Sequence, residues 1–394
     1  MGKLSGLRVI DLSRVLSGPF CTALLADLGA EVIKVESPGG GDDSRRFGPF
    51  VRGESVYFSL INRNKKSVTL NLREPRAQAL LAALAKDADV VVENFRPGVA
   101  KRLGCDYATL ATANPRLVYL SISGFGQTGP KAGWPAYDLI IQAMSGVMSI
   151  TGQPDGPPTA LGESLADLWT GLLGSWAILA ALAARSNTGR GERIDLAMFD
   201  AMLALQVTGL AQLEASGRAP SRVGNRHPVT TPVDTFATRD GHVAIVAPSD
   251  AHFARFCALV GRPELAGDPR FADNAARRER QAELKTAIEQ WSRELPTDAA
   301  VAACHRVDIP AGPVWDLAQA AGSDQTAARE LVRRVPHPEF GVIGMVLQPA
   351  KFATEDAVLA AREPRLGEHN EAVLGTRLGL SAAELERLRA EGVI

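Results

Sequence analysis

The chain has 394 residues, 46% of them apolar, and its 43 lysines and arginines stand against 44 aspartates and glutamates. That length allows two or three domains with sizeable cores, and a formal charge of −1 provides no basic face to neutralise a nucleic-acid backbone. The four cysteines, Cys21, Cys105, Cys257 and Cys304, form no C-x-x-C pair, which argues against a disulfide framework or a metal site and fits a reducing cytoplasm.

No long apolar run precedes the folded-looking N-terminal sequence, so the protein is expected to be neither exported nor inserted in a membrane. The opening MGKLSG fits the loose myristoylation pattern but runs straight into a strand. Residues 7–12 (LRVIDL), 31–36 (EVIKVE), 67–72 (SVTLNL), 89–95 (DVVVENF) and 117–123 (LVYLSIS) are short and β-branched, as buried strands should be. Helical stretches separate them at 21–28, 74–87 and 99–103. Strands alternating with helices predict an α/β fold with a parallel, doubly wound, Rossmann-like sheet, whose ligand site lies at the carboxyl ends of the strands. The tips to inspect are residues 13–18, 37–43, 94–98 and 124–133.

One tip carries a misleading motif. Gly124-Phe-Gly-Gln-Thr-Gly129 satisfies G-x-G-x-x-G after a strand, yet Pro130, Gly133 and Pro135 prevent the helix that a dinucleotide-binding fingerprint requires. A turn-forming active-site loop is the better reading. Gly39-Gly40-Gly41 lacks the Gly-Lys-Ser/Thr of a phosphate-binding loop.

The stretch from Gly162 to Gly171 opens the longest apolar helix. From Leu168 to Ala184 there is no charge, so this helix is expected to be buried with one carboxylate, Asp167, in its first turn. The charge-free run is shorter than the ~20 residues of a bilayer span. Ser164 and Asp167 have the spacing of a capping box, the plain structural reading. The alternative is a reactive acid at a helix start, where backbone dipoles keep a poorly hydrated carboxylate charged.

Further on, residues 199–209 read as a helix, and 233–238 with 242–247 as a hairpin around Arg239-Asp240-Gly241. Helices follow at 251–260, 278–294 and 298–307, and 309–314 (IPAGPV) reads as a rigid, kinked crossover. A strand-like piece at 344–352 and a helix at 382–391 return to the first domain. This gives a large Rossmann-like domain over 1–215, a smaller α+β domain over 223–325, and a C-terminal return over 335–394, with linkers near 215–226 and 320–334.

Several motifs, in order and over nearly the whole chain, resemble the family III (CaiB/BaiF-type) coenzyme A transferases. They are Gly6-Leu-Arg-Val-Ile-Asp-Leu-Ser with Ser17-Gly-Pro, Gly29-Ala-Glu-Val-Ile-Lys-Val-Glu36, Asn64-Lys-Lys-Ser67, Glu93-Asn-Phe-Arg-Pro-Gly98, Ser123 to Pro130, Ala166-Asp167, Thr188 to Glu192 and Leu366-Gly-Glu-His369. The resemblance implies an interlocked homodimer, Asp167 as nucleophile, a CoA-handling segment at Val15, Asn94, Phe95 and Arg102, and an active-site lining of Leu16, Tyr137 and Asp138. It implies a CoA thioester as substrate, with no tightly bound cofactor, and a small carboxylic acid as acceptor.

The chemistry is coherent for an aspartate. A carboxylate attacking an acyl-CoA thioester gives a mixed anhydride and CoA thiolate, and the thiolate then attacks the aspartyl carbonyl to leave an aspartyl-CoA thioester. Members of similar overall sequence take succinyl-CoA as donor and acids of the itaconate, glutarate, malate or mesaconate type as acceptors. A second carboxylate on the acceptor needs a cation, and Arg46 is the candidate among Arg14, Arg45, Arg46 and Arg226.

Two departures from the family pattern matter. Arg222-Val-Gly-Asn-Arg-His-Pro228 stands where a run of glycines closes over the intermediate. The same fold houses α-methylacyl-CoA racemases, which use a His-Asp pair, but here Tyr137 precedes Asp138. With an ordinary pKa of about 10, tyrosine is a poor base at neutral pH, which disfavours racemisation. A non-enzymatic scaffold would have no reason to keep an acid at Asp167.

Overall fold

The computed structural model describes residues 2–354 and 362–394. Residues 355–361, within the expected C-terminal return, lie outside the described residues. Two compact units are present: the first comprises residues 1–147, 160–211 and 327–394, and the second residues 148–159 and 212–326.

Unit one is built on six parallel strands: β1 (Arg8–Asp11), β2 (Glu31–Glu36), β3 (Lys65–Thr69), β4 (Val90–Glu93), β5 (Val118–Ser123) and β6 (Arg193–Ala197). Their order across the sheet is β3-β2-β1-β4-β5-β6. This is the doubly wound arrangement expected from the alternation of elements, and its order reverses between β1 and β4. Both faces are covered, which explains why the strands read as continuous apolar runs. On one face Ile10, Ile33, Val68 and Val91 pack with Leu81 and Leu84 of α2 (Pro75–Ala85) and with Leu374, Leu385 and Leu388 from the C-terminal segment. On the other, Val9, Val32, Val90, Val92 and Leu120 pack with Cys21 and Leu25 of α1 (Ser17–Asp27) and with Ala166 and Ile178 of α4 (Leu165–Thr188). Burying each such leucine stabilises the fold by about 1.5–3 kcal/mol.

Three expectations in this unit are corrected. The third strand begins at Lys65, two residues before the apolar pattern starts, because Lys65 is buried in an ionic cluster and strand pairing continues through it. Helix α4 is not wholly buried: Ala166, Thr170, Gly171, Gly174, Ser175, Ile178 and Ala181 face inward, whereas Leu172 and Trp176 are 45% and 67% exposed. It also runs for 24 residues, enough by length and composition to cross a membrane, but its inner face packs on α1 and the sheet. The C-terminal strand is half of a hairpin pairing Val332–His337 with Gly341–Val346. Pro336 and the two arginines Arg333 and Arg334 hide its first strand from the apolar pattern. Buried His337 holds Glu363 at 3.1 Å, and Ser59 donates to the same carboxylate at 2.5 Å, fastening this hairpin to the segment after it.

Unit two carries an antiparallel sheet of β7 (Val233–Ala237), β8 (His242–Val246) and β9 (Ala311–Pro313), with β8 central. The hairpin forms around Arg239-Asp240-Gly241, where the Thr238 N–H donates to Gly241 O at 3.0 Å. The expected crossover at 309–314 is instead partly an edge strand, a position that tolerates Pro313 because its missing N–H would face outward. Phe236, Val243, Ile245, Phe253, Phe256, Phe271, Leu284 and Ile288 form the core.

Candidate active site

The reversal between β1 and β4 places the loop after β1 beside the loop after β4, at the carboxyl ends of both strands. Side chains hold the first loop at nearly every step. The Ser13 N–H donates to Asp11 Oδ1 at 3.0 Å, and Lys34 donates to Ser13 O at 2.9 Å. Asn94 accepts from Arg14 N–H at 2.8 Å and donates to Arg14 O at 2.7 Å. The Val15 N–H donates to Asp42 Oδ1 at 3.0 Å, and Lys65 donates to Pro19 O at 2.8 Å. Val15 has φ 68°, a left-handed conformation that costs a β-branched residue about 1–3 kcal/mol and persists only when its surroundings enforce it. The turn delivers Ser17 at the start of α1.

Two buried ion pairs underlie the turn. Lys34 lies 2.8 Å from Asp42 and Lys65 lies 2.9 Å from Asp11, with no side-chain exposure on any of the four. Both lysines sit on the strand face that carries α1. In spite of its burial, Lys34 and the N–H groups of Ser44 and Val15 hold the Asp42 carboxylate well below the usual range, and the two cations Lys65 and Lys34 lower Asp11 against its own burial.

Asp167 stands in the first turn of α4. The capping box does not form, since Ser164 makes no side-chain cap bond. The helix start is capped from outside: Asp138, first residue of α3 (Asp138–Met144), accepts the Ala166 N–H at 2.8 Å on Oδ1 and the Gln142 amide at 2.7 Å on Oδ2. Asp167 is therefore released for other partners. The Ser17 hydroxyl and backbone N–H act on its carboxylate and favour the charged form. Burial opposes them, and with the negative charge of Asp138 it raises Asp167 to about 6. The acid is thus mostly ionised at neutral pH while poorly hydrated, the condition a carboxylate nucleophile requires.

Glycines allow this meeting of two helix starts. A Cβ at Gly171 would lie 2.6 Å from Ser17 O, and one at Gly174 would lie 2.9 Å from Leu120 Cδ2. A Cβ at Gly18 would collide with Ser13 at 2.2 Å. Gly171 lets α4 approach the start of α1, Gly174 lets it lie on the sheet, and Gly18 lets the turn fold back on Ser13, which together allow Ser17 to sit beside Asp167.

A cleft of about 1090 Å³ opens beside the turn, lined by Arg14, Arg73, Phe95, Val99, Arg102 and Arg389 among others. The Arg14 guanidinium lies 5.6 Å over the Phe95 ring. Arg73 and Arg102 have no acidic partner among the described residues, so the cleft has positive charge to offer a large anion.

The structure thus gathers Val15, Leu16 and Asn94 at the turn, Asp138 and Asp167 at the start of α4, and Phe95 and Arg102 in the cleft wall. Tyr137 is 71% exposed at the end of the loop from Gly124. That loop contains no helix before Asp138, and Asp195 accepts its Gln127 N–H at 3.0 Å. Arg46 pairs with Asp43 at 2.5 Å and donates to Gly40 O at 3.0 Å. Sequence reasoning missed Tyr57, on the short helix Val56–Asn62. Burial, then the charges of Asp167, Asp42, Glu163 and Asp138, push its hydroxyl pKa upward, so it stays neutral within the electrostatic reach of these acids. It also missed Asp42, Lys34 and Lys65. Among the described residues no cluster of His, Cys, Asp and Glu could hold a metal ion.

Comparison with known proteins identifies the family. Residues 4–370 match the model of CoA-transferase family III. The chain is 48% identical over 332 residues to the acetyl-CoA:oxalate CoA-transferase of Acetobacter aceti, covering 84% of this chain and 85% of that protein. It is 41% identical to the succinate–glutarate CoA-transferase of Agrobacterium fabrum, covering 94% of each. The solved structure of a CaiB/BaiF family protein from Brucella suis superposes with a TM-score of 0.85 at 39% identity, over 95% of this chain and 99% of that one. With its six-stranded parallel sheet and its match along nearly the whole length, the chain belongs to CoA-transferase family III.

Proposed function

We propose that this CoA-transferase uses Asp167 as a covalent nucleophile to move CoA from an acyl-CoA, succinyl-CoA in the simplest reading, to a small carboxylic acid, and that it does so as a homodimer. The observation that carries the reading is the environment of Asp167, held by Ser17 at the meeting of two helix starts and raised to about 6 by burial and Asp138. Its carboxylate attacks the thioester carbonyl, and the C–S bond breaks to give the mixed anhydride and CoA thiolate. The thiolate then attacks the aspartyl carbonyl, forming aspartyl-CoA thioester and releasing the donor acid. The acceptor carboxylate attacks this thioester in turn, and a final thiolate transfer gives the new acyl-CoA and free Asp167.

The cleft lined by Arg73, Phe95 and Arg102 has the size and charge for the CoA nucleotide, and the turn at Val15 leads from it toward Asp167. Relatives named for oxalate, glutarate, mesaconate and citramalate favour a dicarboxylate acceptor. Arg46 is the proposed cation for its distal end, exchanging its bond to Asp43. The exposed Leu172 and Trp176 on the outer face of α4 favour a second subunit packed there. Racemisation lacks a base, because both Asp138 oxygens hold N–H groups and Tyr137 replaces histidine.

The test is to incubate the enzyme with succinyl-CoA and a panel of mono- and dicarboxylates, then trap with hydroxylamine or borohydride and map peptides by mass. Modification of Asp167 in a preparation that turns over dicarboxylates is expected. An active preparation with an unmodified Asp167 peptide removes the mechanism.

A further inference from the structure

Lys34 and Asp42 face each other with no exposure of either side chain, one on the second strand and the other at the entrance to the turn of residues 43–46. Neither is at the surface, where a pair of this kind contributes little. The Asp42 carboxylate divides its bonds. Lys34 Nζ stands 2.8 Å from Oδ2, whereas Oδ1 accepts both the Val15 N–H at 3.0 Å and the Ser44 N–H at 2.9 Å. The first of these bonds is the only one from a side chain to the backbone of Val15 among the described residues, and Val15 is the strained residue of the turn, at φ 68°. Two residues later the chain presents Ser17 to Asp167.

Resting on the reading of Asp167 as nucleophile, we propose that Asp42 is a positioning residue for the transfer reaction: its Oδ1 locks Val15 in the left-handed conformation and so aims Ser17 at the nucleophile. Lys34 serves by keeping the Asp42 carboxylate in place. If Val15 relaxed to a negative φ, the chain direction at Leu16 and Ser17 would rotate away, while Asn94 and Lys65 would still hold the two ends of the turn. Lys34 and Asp42 also line the cleft with Phe95 and Arg102, so the test must compare enzymes whose cleft lining is altered alike except at position 42.

Two paired substitutions isolate the Val15 bond from the burial of charge. In Lys34→Met/Asp42→Leu both charges are gone and no acceptor remains, whereas in Lys34→Met/Asp42→Asn the charges are equally gone but an amide oxygen still faces the Val15 N–H. Both enzymes lose the Lys34 bond to Ser13, so their difference reports on Val15. The leucine pair is expected to have a kcat about tenfold or more below the asparagine pair, with KM for the acyl-CoA donor equal within about threefold and far-ultraviolet circular dichroism unchanged. If leucine prevents folding, alanine at position 42 gives the same comparison without added bulk. Equal kcat in two folded pairs overturns the role of Asp42, as does a difference that appears only in donor KM. Hydroxylamine trapping on the unmodified enzyme separates this from the mechanism itself: failure to acylate Asp167 there removes the nucleophile reading, whatever the pairs do.

Discussion

Two loops approach the start of α4, and they are built in opposite ways. The turn from Ser13 to Pro19 is mostly buried, Arg14 excepted, and side chains fix its backbone through Asp11, Lys34, Lys65, Asp42 and Asn94. The loop from Gly124 to Tyr137 is largely exposed: Trp134 is 50% accessible under Lys131, 3.7 Å over its ring, and Asp195 is the side chain that holds its backbone at Gln127. The difference teaches a division of labour. On the proposed mechanism, the step common to every substrate, attack by one carboxylate, rests on a rigid turn, whereas the contacts that would differ between acceptor acids fit a surface with room to adjust.

The largest expected effect tests the rigid side. Asp167→Asn should lower turnover ~10³-fold or more for every acceptor, as for removal of other nucleophiles. The same change should stabilise the fold at neutral pH. An acid raised from 3.8 to about 6 destabilises the native state above pH 6, by up to about 3 kcal/mol, and this penalty fades as pH falls from 6 to 4. Asparagine removes it, so the variant should melt higher than the parent at pH 7.5 and equally at pH 4. A lower melting temperature at pH 7.5 would show that the carboxylate is a structural cap after all.

A smaller effect concerns the acid limb of the rate profile. For the parent, kcat/KM should fall as pH drops through about 6, where Asp167 takes up a proton. Asp138→Asn keeps an oxygen for the Ala166 N–H but removes the charge that helps to raise Asp167, so its limb should lie at lower pH. An unmoved limb would mean that Asp138 acts only as a cap.

The smallest effect belongs to the exposed loop. Tyr137→Ala should change KM for the acceptor about threefold to tenfold, by different factors for different acids, with kcat within about threefold. A uniform loss of kcat would erase the contrast between the two loops.

The sequence revealed more of the scaffold than of the site. Runs such as VVVE at 90–93 and VYLSIS at 118–123 announce buried parallel strands, because both faces of the sheet are covered. Asp167 was legible as a lone acid at the head of an uncharged helix. Lys34, Asp42 and Lys65 were not, since a buried charge pair and a solvated one have the same composition, and only the register that sets Asp11 beside Lys34 brings these groups together. Tyr57 was hidden for another reason. It lies 110 positions before Asp167, and no local pattern records that the fold brings it within electrostatic reach of that acid. The apolar pattern also misled at α4, where a side chain such as Trp176 reads as core although it is exposed.

The C-terminal segment has a consequence for the order in which the protein matures. Leu374, Leu385 and Leu388 complete one face of the sheet, Asn71 donates to Val393 O at 2.8 Å, and Arg389 helps to wall the cleft. On the ribosome, unit two, whose residues all precede position 327, has its whole core available while unit one still lacks these last helices. The nascent chain therefore carries an unclosed sheet face until the segment from Leu374 to Val393 has been made. Contacts of such long sequence separation form slowly. The smaller unit is expected to mature first, and a truncated product ending near residue 360 would expose Ile10, Ile33 and Val68 to aggregation or to proteolysis.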